Sequence, residues 1–280
     1  MAVAHTGTKR GENSSAPPVQ PEARSNGPWL GIFTAVVIAY LFVPILVMIA
    51  FGFNDPVGNF NFVFNEFTLE NYTTLFEIRA LTEALKNSIV VAAISTLIAT
   101  IVGTLIALAL TRYRFRGRSG LNLFLFVPMA SPEVVLGVSL LSLFVTIGIS
   151  RGLTTIIIAH IAFSISYVVV TLKARTSGLD TNLEDAAQDL GATPLTSFWT
   201  VTFPLIFPGI LAAGLLAFVL SLDDYVITLF NAGGTTTLPL WIFGASRIGV
   251  PTQVNVMGTL IFMIGVIYVI VTLVRERRLR

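Results

Sequence analysis

Residues 87–118 read NSIVVAAISTLIATIVGTLIALALTRYRFRGR, and the division of this stretch into two halves decides the fold. From Asn87 to Thr111 there is no Asp, Glu, Lys or Arg, whereas from Arg112 to Arg118 every second residue is arginine. Crossing a hydrocarbon core of about 30 Å takes a helix of about 20 apolar residues, because each backbone N–H and C=O must find its partner within the segment. The first half is long enough, and the arginines mark the side on which it ends. A barrel strand would instead alternate in polarity with period two over about 10 residues, and this run is continuously apolar.

The same pattern recurs in both directions. Residues 25–54, 152–172, 190–222 and 248–274 are also free of Asp, Glu, Lys and Arg, and Leu121 to Ile149 is apolar apart from Glu133. Helices are predicted at Leu30–Phe51, Ser88–Leu110, Leu121–Ile149, Leu153–Leu172, Leu205–Phe230 and Val254–Val274. The expected fold class is therefore all-α: a polytopic membrane helical bundle with six transmembrane helices. Composition agrees, since 11% charged and 54% hydrophobic residues leave too few charges to cover a soluble surface, against about 25% and 45–50% for an ordinary soluble domain. The chain has no cysteine, so a disulfide framework or thiolate metal site is ruled out. A net charge of +2 is too small to suggest a nucleic-acid partner, and no metal or cofactor is expected.

Six spans place the basic residues unevenly. One side receives Lys9, Arg10 and Arg24, then Arg112, Arg114, Arg116 and Arg118, then Lys173 and Arg175, then Arg275, Arg277, Arg278 and Arg280. The other side has Arg79, Lys86, Arg151 and Arg247. The positive-inside rule puts the thirteen-charge side, with both termini, in the cytoplasm. Residues 1–28, with Pro17, Pro18, Pro21 and Pro28 among small and polar residues, read as a disordered cytoplasmic tail ahead of a membrane domain at 29–280. A cleaved signal peptide is not expected, because the first apolar run exceeds an h-region and no small-residue cleavage site follows it. Residues 52–86 form the longest external loop and carry Asp55, Glu66, Glu70, Glu77 and Glu83, an acidic outer face.

The cytoplasmic loop between the fourth and fifth helices, about residues 180–204, has the densest local signals. Thr181 and Glu184 stand at capping-box spacing. Leu183, Ala186, Ala187 and Leu190 recur at i, i+3, i+4 and i+7 and make one apolar stripe. Gly191 suits the left-handed turn that ends a helix. Thr193-Pro194 suits the cap and first turn of the next, and Pro204 and Pro208 are expected to break the chain again where it re-enters the membrane. Such a pair of short helices fits a groove on a partner protein, or an interfacial helix resting on lipid headgroups; Asp185 and Asp189 would suit anionic headgroups poorly.

Asp185-Ala186-Ala187-Gln-Asp-Leu-Gly191-Ala, followed by Phe203-Pro204 and Pro208, resembles the EAA loop of ATP-binding-cassette importer permeases. The family prefers Glu where this chain has Asp185, which keeps the charge on a shorter arm. Tyr113-Arg-Phe-Arg-Gly117, Ser131-Pro-Glu133, Ser221-Leu-Asp-Asp-Tyr225 and Leu238-Pro239 look like the spermidine/putrescine branch, though permeases for iron and other small solutes share some of these segments. The resemblance implies a multi-pass subunit of a bacterial inner membrane, working with a homologous second permease, a dimeric ATPase and an extracytoplasmic solute-binding protein. It also implies that Glu184, Asp185, Ala186, Ala187, Gly191 and Pro204 form the ATPase-coupling loop, with Asp185 and the alanines facing the ATPase. The chain has no Gly-x-x-x-x-Gly-Lys-[Ser/Thr] phosphate loop, so nucleotide hydrolysis is expected from the partner and no catalytic residue is expected here.

Glu133, Asp223 and Asp224 fall inside predicted spans, where an ionisable side chain is costly and usually faces the bundle interior or a watery cavity. With Tyr225 they are the candidate substrate pathway, although Glu133 could pair with a hydroxyl and the two aspartates could be solvated near the outer interface. Pro128 and Pro132 are expected to loosen the helix ahead of Glu133. His160 and the Phe-rich faces suit packing as well as function. No Lys or Arg falls within a predicted span to offset the three acids, so the pathway favours a cation, and carboxylates beside Tyr225 suit an organic polycation such as putrescine or spermidine. A membrane enzyme is poorly supported by two His and no Cys. A self-sufficient channel or secondary transporter leaves the capped, glycine-hinged loop without a purpose.

Overall fold

The computed structural model describes residues 28–58, 60–178 and 182–278. The tail predicted at 1–28 therefore lies almost wholly outside the described residues. Two compact units separate at Val47, and each is taken by itself. The first contains most of helix α1 (Pro28–Phe51), whose Pro44 is accommodated without a break.

The second unit opens with two short antiparallel strands, β1 (Asn54–Asp55) and β2 (Glu66–Phe67), pairing Asn54 with Phe67 and Asp55 with Glu66. Asn54 is fully buried here: its amide nitrogen donates to Asn61 Oδ1 and to the Val63 carbonyl, and its Oδ1 accepts from the Asn65 N–H. A buried amide with these partners ties the loop into a defined turn rather than leaving it open. After a single turn, α2 (Glu70–Thr73), comes α3 (Arg79–Arg112). This helix begins nine residues before the predicted span, taking in Glu83 and Lys86 beyond the apolar run.

The predicted third span is two helices, α4 (Arg118–Ala130) and α5 (Glu133–Thr146), bent by 108°. Pro128 stays within α4, whereas Pro132 ends it. A residue before proline is pushed out of the helical region, and Ser131 is extended at φ −79, ψ 141. Next is α6 (Leu153–Thr176), and then α7 (Asn182–Asp189) and α8 (Pro194–Ser197) in the loop. The expected break at Pro204 and Pro208 does not occur. A π-helical turn at Phe198–Thr202 runs directly into α9 (Phe203–Asp223), giving one continuous helix from Pro194 to Asp223. The Phe203 N–H donates to the Phe198 carbonyl, five residues back. The wider turn shifts the carbonyl register by one residue just ahead of Pro204, whose ring would otherwise collide with the carbonyl four residues earlier, while Pro208 is accommodated inside α9.

The predicted fifth span is also shorter than expected. It ends at Asp223, Asp224 is extended, and α10 (Val226–Asn231) starts a new direction. Helices α11 (Leu238–Ala245) and α12 (Thr252–Arg278) complete the chain. Among the described residues, five helices are each long and apolar enough to cross a membrane, and the bent pair α4–α5 makes up to a sixth span.

Packing centres on α3, α6 and α9. Small residues let these backbones approach: Ala99, Ala213 and Ala217 are buried together with Val168, and a Cβ on Gly103 would lie 2.6 Å from Val168 Cγ1. Lipid tails are as apolar as leucine, so close van der Waals contact replaces the hydrophobic effect as the force joining such helices. A second cluster of Ala107, Leu110, Leu125, Val169, Leu172 and Ile206 brings in α4 at the basic side.

Candidate functional site

The loop of α7 and α8 is capped largely as its sequence implies. Gly191 has φ 92; its N–H donates to the Gln188 carbonyl and the Ala192 N–H to the Ala187 carbonyl, closing α7. Thr193 caps α8, accepting from the Thr196 N–H at 3.2 Å, with Pro194 in the first turn. Thr181 lies outside the described residues. Glu184 Oε1 accepts from Arg112 Nη2 at the end of α3 and from the hydroxyl of Thr202 in the π-helical turn. No residue of α7 is buried. Asp185, Ala186 and Leu183 are exposed, Ala187 is half-buried, and Leu190 just beyond is 90% exposed. An apolar stripe that its own chain leaves uncovered beside charged groups is what a docking surface requires. Pro204 lies in the first turn of α9, next to Leu205 and Ile206, which line a small cavity with Leu183.

At the end of α9, the neighbours Asp223 and Asp224 have opposite fates. Asp223 is exposed and lines a cleft of about 650 Å³ with Tyr225, Leu238, Pro239, Phe243 and Ser246. Tyr225 and Phe243 pack with ring centroids 4.6 Å apart, and the Arg247 guanidinium lies 5.2 Å from the Phe243 ring centre. Sequence reasoning left Arg247 on the external side without placing it beside this cleft. Asp224 turns inward. Its Oδ2 accepts from the Thr228 N–H at 2.8 Å and the Thr228 hydroxyl at 2.7 Å, and its Oδ1 accepts from the Ile227 N–H at 3.3 Å. These are the free N–H groups of α10, so the carboxylate caps that helix, and the helix breaks where the cap begins.

Behind Asp224 lies His160 of α6, 1% exposed. Its Nε2 is 2.9 Å from Thr228 Oγ1 and 3.2 Å from Asp224 Oδ2, while its Nδ1 is 2.6 Å from Ser221 Oγ. The Thr228 hydroxyl donates its one hydrogen to Asp224, so Nε2 carries a hydrogen and donates in turn. Ser221 Oγ is also 3.0 Å from Ser95 Oγ on α3. This chain of polar groups joins α3, α6, α9 and α10. Nothing local in the sequence links these residues, and an isolated histidine in a span was the one available signal.

Glu133 is exposed in the first turn of α5 and does not line the Asp223 cleft. One turn later, Gly137 packs on α10: a Cβ there would lie 2.8 Å from Phe230 Cδ2, and the Asn231 amide donates to the Gly137 carbonyl at 3.3 Å. The structure thus brings Asp223 and Tyr225 together, sets Asp224 behind them and leaves Glu133 on a neighbouring helix.

Residues 99–278 match the family described as the binding-protein-dependent transport system inner membrane component. The chain belongs to this family. It is a transport permease of the inner membrane. Among curated relatives, this permease is 37% identical over 247 residues to the spermidine/putrescine transport system permease protein PotC of Haemophilus influenzae, covering 88% of this chain and 95% of that one. It is 38% identical over 249 residues to the putrescine transport system permease protein PotI of Escherichia coli, with 86% and 87% covered. Of solved structures, a bacterial ABC transporter involved in the import of the acidic polysaccharide alginate matches with a TM-score of 0.62 at 17% identity, over 92% of this chain and 99% of that one. That last likeness bears on the fold alone.

Proposed function

We propose that this permease passes a small organic polycation, putrescine or spermidine, into the cytoplasm, with a separate dimeric ATPase supplying the energy. A homologous second permease would complete the pathway, and an extracytoplasmic binding protein would deliver the substrate. The observation that carries the reading is the cleft at the end of α9, where an exposed Asp223 carboxylate stands beside the Tyr225–Phe243 aromatic pair. A polyamine is a methylene chain with separated ammonium groups; carboxylate and aromatic faces hold the ammonium ends and apolar walls the chain. Asp224 supports this site by fixing the helix break that turns Asp223 outward, and Glu133 on α5 supplies a further carboxylate along the pathway. The two relatives carry polyamine names, which supports the same substrate class.

For coupling, the uncovered stripe of α7 fits a groove on the ATPase, with Asp185 beside it and Gly191 setting the angle between α7 and α8. The basic side, with this loop, would face the cytoplasm. Uptake of labelled putrescine and spermidine by the reconstituted four-component system tests the proposal. Asp223→Asn and Glu133→Gln should each weaken uptake while the ATPase still copurifies. Wild-type uptake by both variants, or uptake restricted to anions, would refute it.

A further inference from the structure

Helix α3 ends at Arg112, and its last side chain does more than open a basic run. Arg112 Nη2 donates to Glu184 Oε1 on α7 and, at 3.1 Å, to Thr202 Oγ1 in the π-helical turn, while the Thr202 hydroxyl donates to the same Glu184 oxygen. The three groups close a ring joining α3, the docking helix and the start of α9. Both charged side chains are about a quarter exposed, so the pair is shielded from solvent on most of its surface. Because α7 buries no residue, apolar packing within the chain contributes little to fixing its orientation.

The outer part of α3, two turns in from its start at Arg79, is tied to the substrate cleft. Asn87 Nδ2 donates to the Thr236 carbonyl at 2.9 Å, and Ser88 Oγ accepts at 2.8 Å from the N–H of Leu238, which lines the Asp223 cleft. Between these two ties, Ser95 meets Ser221. Helix α3 runs unbroken from Arg79 to Arg112 and contains no proline, the commonest cause of a kink, so a displacement at one part of it would carry to the other.

We infer that Arg112 is the positioning residue for energy coupling, fastening the docking helix to α3 so that a displacement at the cleft reaches α7 through the Arg112–Glu184–Thr202 ring. This rests on the proposed reading that α7 docks an ATPase, and it assigns the route by which that docking is linked to substrate. The shared oxygen makes the route specific: neutralising either charge opens the ring, whereas the loop's own caps at Gly191 and Thr193 stay intact.

The test uses the assembled complex in proteoliposomes with its binding protein. Arg112→Gln should retain ATPase copurification and basal hydrolysis, and Arg112→Gln and Glu184→Gln should each lose about fivefold or more of the substrate stimulation. Combining Arg112→Glu with Glu184→Arg should recover part of that stimulation over either reversal alone. Recovery is partial because the reversed charges oppose the dipoles at the end of α3 and the start of α7. Thr202→Val should give a smaller loss, since the charged pair persists. Full stimulation in Arg112→Gln, loss of ATPase copurification in that variant, or a double reversal no better than the singles would each overturn the inference. Ala187→Asp, assayed alongside, probes docking by itself. Undisturbed assembly and hydrolysis in that variant would overturn the docking reading and this inference with it, whereas a docking defect there beside full coupling in Arg112→Gln would overturn the inference alone.

Discussion

Replacing His160 by leucine removes both ring nitrogens from the polar chain behind the cleft at little change in volume. The ring contacts Ser221 at 2.6 Å, Thr228 at 2.9 Å and Asp224 at 3.2 Å. Side-chain hydrogen bonds inside membrane proteins average about 0.6 and reach about 1.7 kcal/mol, so losing two costs about 1–3 kcal/mol. Leaving a buried carboxylate with no partner costs about 3–5 kcal/mol. That limit is not reached here, because Asp224 keeps the Ile227 N–H, the Thr228 N–H and the Thr228 hydroxyl. For a domain of this size the loss corresponds to a melting temperature lower by roughly 2–12 °C. The function should shift with it in a particular way: a looser break between α9 and α10 mis-aims Asp223, so KM for polyamine rises more than the maximal rate falls. His160→Asn, which keeps a donor and an acceptor, should recover part of both. Thermal unfolding of the purified complex and uptake titrations measure the two effects. Wild-type melting and wild-type KM in His160→Leu would refute the argument.

Gly191→Val places a β-branched residue at φ 92, about 1–2 kcal/mol above its relaxed state; insertion should be normal and substrate-stimulated ATP hydrolysis lost. Gly103→Leu should lower the melting temperature by an amount equivalent to about 1–3 kcal/mol, because its Cβ would meet Val168 Cγ1 at 2.6 Å, and Val168→Ala in the same chain should relieve part of this. The absence of native cysteine allows a topology test: a cysteine at Gly234 should react with an impermeant thiol reagent on intact cells and one at Ala192 should not. Gly234 has open space for a side chain, whereas Gly58 and Gly117 have positive φ and would strain one.

The parts legible in the sequence were those whose cause is local. Charge-free runs located the spans because lipid tests every residue of a crossing helix, and Gly191 and Thr193-Pro194 announced their turns because caps act within a few residues. The misplacements have causes elsewhere in space. Pro132 broke its span and Pro204 did not, because a π-helical turn stood ahead of the second and nothing in FWTVT marks it as such. Asp223 and Asp224 read alike in sequence. Their opposite directions come from His160 and Thr228, sixty-four residues before Asp224 and four after it. Glu184 offers capping-box spacing in sequence, but its contact with an arginine seventy-two residues earlier could not be read from it.

The length of α3 has a further consequence. Its 34 residues, at about 1.5 Å each, make a rod of roughly 51 Å, longer than the ~40–45 Å of a bilayer with its headgroups. A rod of that length meets a thinner or thicker membrane by tilting. Here the rod is tethered at two points, beside the cleft at Asn87 and Ser88 and by the docking loop at Arg112, so a change of tilt is registered at the two places that must act together. Acyl-chain length thereby becomes a variable of transport in its own right, and vesicles of different lipid thickness are expected to differ in how tightly hydrolysis follows substrate.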